Sequence, residues 1–193
     1  MKISRRISIK VLLASIALII SSLSIYKWIG IVSLPHLSLL HKKKVLIAEI
    51  AELIIPRTNT PGAKDAKVED FIINIIEFCS DKTTQKNFLE GLAKLESHAL
   101  NNYHRDFLQC DHSEKIQILN YLENGAKYNF DILNKVSNKV LGKPFIIKFK
   151  ELAVEGYCTS QLGATQGLAY DYLPVNFEAC IPIQRNQRAW ATK

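Results

Sequence analysis

The side chains with chemical potential in this chain are four cysteines, five histidines and one close pair of carboxylates. Cys79, Cys110, Cys158 and Cys180 are an even set, and in an oxidising compartment they allow three full pairings. No Cys-x-x-Cys occurs, so neither a zinc knuckle nor a haem attachment site is indicated. Cys79 falls on the apolar stripe of a helical segment, which predicts a buried small hydrophobe. His36, His41, His98, His104 and His112 contain no i, i+4 pair, and the six-residue gap from His98 to His104 puts them on different helix faces. Cys110-Asp111-His112 has metal-ligand residue types, but a solvated helix start explains it more simply. Glu151 and Glu155 do share a helical face. Acid–base work needs a cleft and a shifted pKa, whereas Lys148 and Lys150 nearby point to a solvated charged surface. No Gly-x-Gly-x-x-Gly follows a strand, and no nucleophile elbow is present. The expectation is a chain without catalytic, cofactor-binding or metal residues of its own.

Charge divides the chain. The first acidic residue is Glu49, and residues 1–44 already hold 8 of the 25 Lys+Arg. Residues 45–193 carry the other 17 against 18 Asp+Glu, a net charge of −1. The pI of about 9.2 therefore belongs to the leader. A nucleic-acid-binding domain needs its own basic stripe, so nucleic acid is not an expected partner.

The leader begins Ser4-Arg5-Arg6-Ile7-Ser8-Ile9-Lys10 and continues Val11 to Ile20, the basic-then-apolar order of a secretory signal. It resembles the twin-arginine consensus, with Ser8 where that pattern prefers Phe. The resemblance implies that Arg5 and Arg6 address the chain to the twin-arginine translocase, which exports folded proteins. The expected destination is the periplasm or the periplasmic face of the bacterial inner membrane. The competing reading is a retained anchor. Val11 to Tyr26 as a helix spans roughly 24 Å, short of the ~30 Å hydrocarbon core. Extension to Leu34 completes the span if Lys27 snorkels and Trp28 sits at the interface. The organisation expected is signal or anchor over 1–34, a basic tether over 35–44 and one domain over 45–193.

That domain reads as all-α, with five or six helices and an irregular C-terminal tail. Apolar residues at 46, 47, 50, 53 and 54 predict a helix over 45–55, ended by Pro56. Arg57 to Gly62 is dense in turn formers and predicts an ordered loop, either structural or facing a partner. Further helices are predicted over 68–79, from a cap at Thr83 or Thr84 to Tyr103, after Asp111 or Ser113, over 131–141, and over 145–157 with Pro144 in the first turn. Beyond Thr159 the helical period stops.

Two stretches carry a resemblance. They are Ile54-Ile55-Pro56-Arg57-Thr58-Asn59-Thr60-Pro61-Gly62-Ala63 and Glu155-Gly156-Tyr157-Cys158-Thr159-Ser160-Gln161-Leu162-Gly163-Ala164-Thr165. With Tyr170-Asp171, Pro174, Phe177-Glu178-Ala179-Cys180-Ile181-Pro182 and Trp190, the chain resembles the gluconate 2-dehydrogenase subunit 3 family. The resemblance implies an accessory subunit that escorts a larger FAD-dependent sugar or sugar-acid dehydrogenase of the glucose-methanol-choline type. A multihaem cytochrome c completes such sets, so FAD and haem c belong to partners and this chain holds no cofactor. In that setting Cys180 has two partners to choose from, Cys158 or a large-subunit cysteine. The aromatic tail is costly to leave in water, and such residues dominate binding hot spots. Tyr170, Asp171, Phe177, Cys180 and Trp190 are therefore the expected partner interface, unless the tail wraps its own helices. The rival function is a standalone membrane-anchored envelope interaction protein without a redox partner.

Overall fold

Stripes of Ile, Leu and Phe at helical spacing must be covered, and here they cover one another. The computed structural model describes residues 36–126, 142–170, 172, 180, 182 and 185–191, with 14, 15, 18 and 21 of the leader. The chain divides into two units, Met1–Pro35 and His36–Lys193. Arg5 and Arg6 lie outside the described residues. Among the described residues no helix is long and apolar enough to cross a membrane.

The second unit has six α-helices among its described residues: α1 Ser38–Lys42, α2 Lys44–Ile54, α3 Val68–Phe78, α4 Lys82–Tyr103, α5 His112–Gly125 and α6 Phe145–Thr159. A 3₁₀ turn, Phe107–Gln109, joins α4 to α5, and a π-helical turn, Gly163–Gly167, follows α6. The described residues contain no sheet, only an isolated bridge between Ala169 and Trp190. The all-α expectation holds. The helix predicted over 131–141 lies outside the described residues.

α6 is the central element and packs against α2, α3, α4 and α5. Its Phe145 and Phe149 form an aromatic triad with Phe88 of α4, with ring centroids 5.2 to 5.7 Å apart. Each buried Phe contributes roughly 1.5–3 kcal/mol of burial free energy. Gly91 lets α4 approach, since a Cβ there would stand 2.1 Å from Phe145 Cγ.

Of the stretch expected as a basic tether over 35–44, residues 36–44 are described: α1 starts at Ser38, Leu40 is fully buried, and Lys43 and Lys44 pair with Glu96 and Asp70. Two local expectations need correction. The cap of α4 is Asp81, which accepts from the Thr84 amide, rather than Thr83 or Thr84. Cys79 is exposed because α3 ends at Phe78 and leaves Cys79 as its C-terminal cap. Asp111 does open α5, through a reciprocal capping box with Glu114. The Cys110-Asp111-His112 triplet is accordingly a helix start, and no group of potential metal ligands occurs among the described residues.

Candidate functional site at the loop–tail junction

The loop after α2 is held by carboxylates at both ends. Glu52, in the last turn of α2, accepts the Arg57 amide on Oε1 and the Lys64 amide on Oε2, both at 2.9 Å. Asp65 accepts the Gly62 amide at 2.9 Å and the Arg57 guanidinium at 3.3 Å. A Cβ at Gly62 would stand 2.7 Å from the Arg57 backbone nitrogen and 2.4 Å from Glu52 Oε1, so a larger residue would displace the loop backbone or the carboxylate that holds it. Pro56 stops the helix, and Ala63 N–H donates to Ile55 to close the loop. Arg57, Thr58 and Asn59 are left exposed on a fixed backbone.

The tail begins with an equally constrained turn. Ser160 Oγ donates to the Tyr157 carbonyl at 2.7 Å and accepts the Gly163 amide at 2.9 Å. A Cβ at Gly163 would stand 1.9 Å from that same carbonyl oxygen. After the π-helical turn, Ala169 exchanges backbone bonds with the returning segment, donating to Ala189 and accepting from Ala191 at 2.9 Å. Arg188 fastens the return by donating to the Gln166 carbonyl at 2.7 Å.

Tyr157 joins the two constructions. Its ring is buried and its hydroxyl donates to the Pro61 carbonyl at 2.7 Å. Gly167 lies against the same hydroxyl, where a Cβ would come within 2.4 Å. The two stretches that carry the sequence resemblance therefore meet at one end of α6. Neither Tyr157 nor Glu52 stands out in the sequence as a junction residue. The signal for Tyr157 is the pair of glycines that follow it, Gly163 against its carbonyl and Gly167 against its ring, whereas Gly156 makes room for Phe71.

Electrostatics reinforce the loop from behind. Glu49 bonds Lys115 at 2.7 Å and also pairs with Lys64. Burial alone would raise its carboxyl pKa, but hydrogen bonds from Lys115 and Lys64 outweigh it and hold the group below its ordinary value. Lys115 also lies 5.9 Å from the Phe107 ring centroid.

Of the expected interface residues, Tyr170 and Cys180 are exposed, and Trp190 is half-buried in the bridge to Ala169. Asp171 and Phe177 lie outside the described residues. Tyr172, beyond Tyr170, is 82% exposed. All four cysteines are free thiols, including half-buried Cys158, so the Cys158–Cys180 pairing is not formed here. Glu151 bonds Lys143 at 2.7 Å in solvent, consistent with a charged surface. The chemistry at the junction is recognition chemistry: a guanidinium, hydroxyls, an amide and phenols, with both nearby carboxylates engaged by the loop itself.

Comparison with curated proteins and with solved structures finds no match. The family model for gluconate 2-dehydrogenase subunit 3 matches residues 41–178, a span that contains the loop, Tyr157 and the first part of the tail. On that match the chain belongs to the gluconate 2-dehydrogenase subunit 3 family.

Proposed function

We propose that this chain is a non-catalytic subunit that binds a FAD-dependent sugar or sugar-acid dehydrogenase and escorts it out of the cytoplasm. In this reading the loop–tail junction is the docking surface. The Arg5-Arg6 leader sends the pair through the twin-arginine translocase to the periplasm or its membrane face. FAD, and haem c where a cytochrome is present, reside in the partners. The observation that carries the reading is the Tyr157–Pro61 bond, which joins the two family-bearing stretches into one ordered surface. Exposed Arg57 on one side and Tyr170 and Tyr172 on the other supply residue types that dominate hot spots. Exposed Cys180 offers a thiol to pair with a large-subunit cysteine.

The test is co-expression with a flavoprotein encoded beside this chain. The chain should retain flavin-loaded partner on affinity capture. Arg57→Glu with Tyr170→Ala should lose it while keeping the helical circular dichroism of the parent. Retention by that double variant would remove the junction from the interface. Absence of any captured flavoprotein would favour a standalone envelope protein. Arg5→Lys with Arg6→Lys should hold the assembly in the cytoplasm, and unchanged export would exclude the twin-arginine route.

A further inference from the structure

Carbonyls at the end of a helical turn have no partner within that turn. Gln166 stands near the end of the π-helical turn Gly163–Gly167, and the Arg188 guanidinium donates to its carbonyl at 2.7 Å. A basic side chain serves a helix C-terminus in the same way. Three residues further on, Ala169 donates to the Ala189 carbonyl and accepts from the Ala191 amide, both at 2.9 Å. Both backbone groups of Ala169 are thus taken by the returning segment. Arg188 and Ala189 are exposed, so these bonds lie at the surface rather than in the core. Tyr170, the residue after Ala169, is exposed. Its backbone is therefore fixed from two sides, by Gly167 against the Tyr157 ring and by the bridge at Ala169.

We infer that Arg188 and the backbone of residues 189–191 form a clasp that positions Tyr170 for a protein partner. Half-buried Trp190 then serves the clasp rather than the docking surface. The inference rests on the reading in which the loop–tail junction holds the dehydrogenase. A surface clasp of three hydrogen bonds opens locally without unfolding the helices. Only the closed form presents Tyr170 beside the junction, so affinity scales with the closed fraction. A net hydrogen bond shifts an equilibrium by roughly fivefold, so losing two should weaken binding by up to about 25-fold.

Two changes cut the clasp and leave Arg57, Tyr170 and Tyr172 in place. Arg188→Ala removes the guanidinium, and Ala191→Pro removes the amide that donates to the Ala169 carbonyl. Arg188→Lys keeps a cationic donor and Ala191→Ser keeps the amide, so both serve as rescue controls. The full chain is co-expressed with the flavoprotein encoded beside it, and the affinity of the pair is measured. Hydrogen–deuterium exchange of peptides spanning Ala169 is followed in the chain alone. The double variant Arg188→Ala with Ala191→Pro should exchange faster at Ala169 and keep the parent's thermal melt. It should bind the flavoprotein up to about 25-fold more weakly, while both controls match the parent. Unchanged exchange at Ala169 would show that the clasp does not hold the tail, and overturns the inference. Faster exchange with undiminished binding overturns the inference alone, because Tyr170 then needs no positioning. Tighter binding by the double variant would make the returning segment a competitor for the partner's place, which also overturns it. A parent that captures no flavoprotein overturns the underlying reading, and the inference falls with it.

Discussion

The Tyr157 hydroxyl donates to the carbonyl of Pro61 at 2.7 Å across 96 residues of sequence. That bond lets a loop between α2 and α3 share its geometry with the turn that starts the tail. A part-buried acceptor loses its partner if the hydroxyl is removed, and this bond no longer ties the two stretches together.

Tyr157→Phe is therefore expected to destabilise the domain by about 1 kcal/mol, the net value of a typical hydrogen bond whose acceptor is only part-buried. Urea unfolding measures it. Limited proteolysis should show earlier cleavage within residues 56–62 than in the parent. An unchanged midpoint and cleavage rate would mean that the bond does not hold the loop.

Gly91 and Gly125 should respond in opposite ways to alanine. At Gly91 the new Cβ meets the Phe145 ring at 2.1 Å, whereas at Gly125 it meets nothing within 4 Å. Overpacking at Gly91→Ala is expected to cost about 1–3 kcal/mol, and Gly125→Ala should be neutral or slightly stabilising. Thermal melts of the two variants against the parent decide.

Glu49 gives a pH signature. Its folded pKa lies below the ordinary 4.5, so its pairing with Lys115 and Lys64 stabilises fully above about pH 4.5. That contribution fades as pH falls through the lower folded value. Glu49→Gln should be less stable than the parent at neutral pH, because the Lys115 side chain, 11% exposed, loses its counter-charge. Below pH 4.5 the two stability curves should converge. Parallel curves down to pH 3 would show that Glu49 is not the titrating group.

Asp81→Ala should cost about 1 kcal/mol by removing the cap of α4, with Thr83→Ala near neutral. The reverse order would return the cap to the threonine.

Much of this architecture is legible in the sequence because it is written in period. The helices over 44–54, 68–78, 82–103 and 145–159 follow from apolar spacing, and Pro56 and Asp111 mark a stop and a start on their own. α1 escapes because five residues are too few to show a period, and its burial rests on Leu40 alone. Cys79 is misread because its position on the stripe counts only while the helix continues, and α3 stops one residue earlier. The junction is legible only as two unexplained motifs. Gly163 and Gly167 are glycines because of where Tyr157 stands, and that is a tertiary fact. Tyr157 reaching Pro61 is invisible to any local pattern.

The most direct measurement is hydrogen–deuterium exchange of this chain alone and in complex with its co-expressed flavoprotein. Binding should slow exchange of the amides in residues 56–62 and 163–172, while the exposed amides at the start of α4 and in α5 stay unchanged. Slowing confined to α4 and α5, with both motif stretches unaffected, would contradict the assignment of the loop–tail junction as the surface that holds the dehydrogenase.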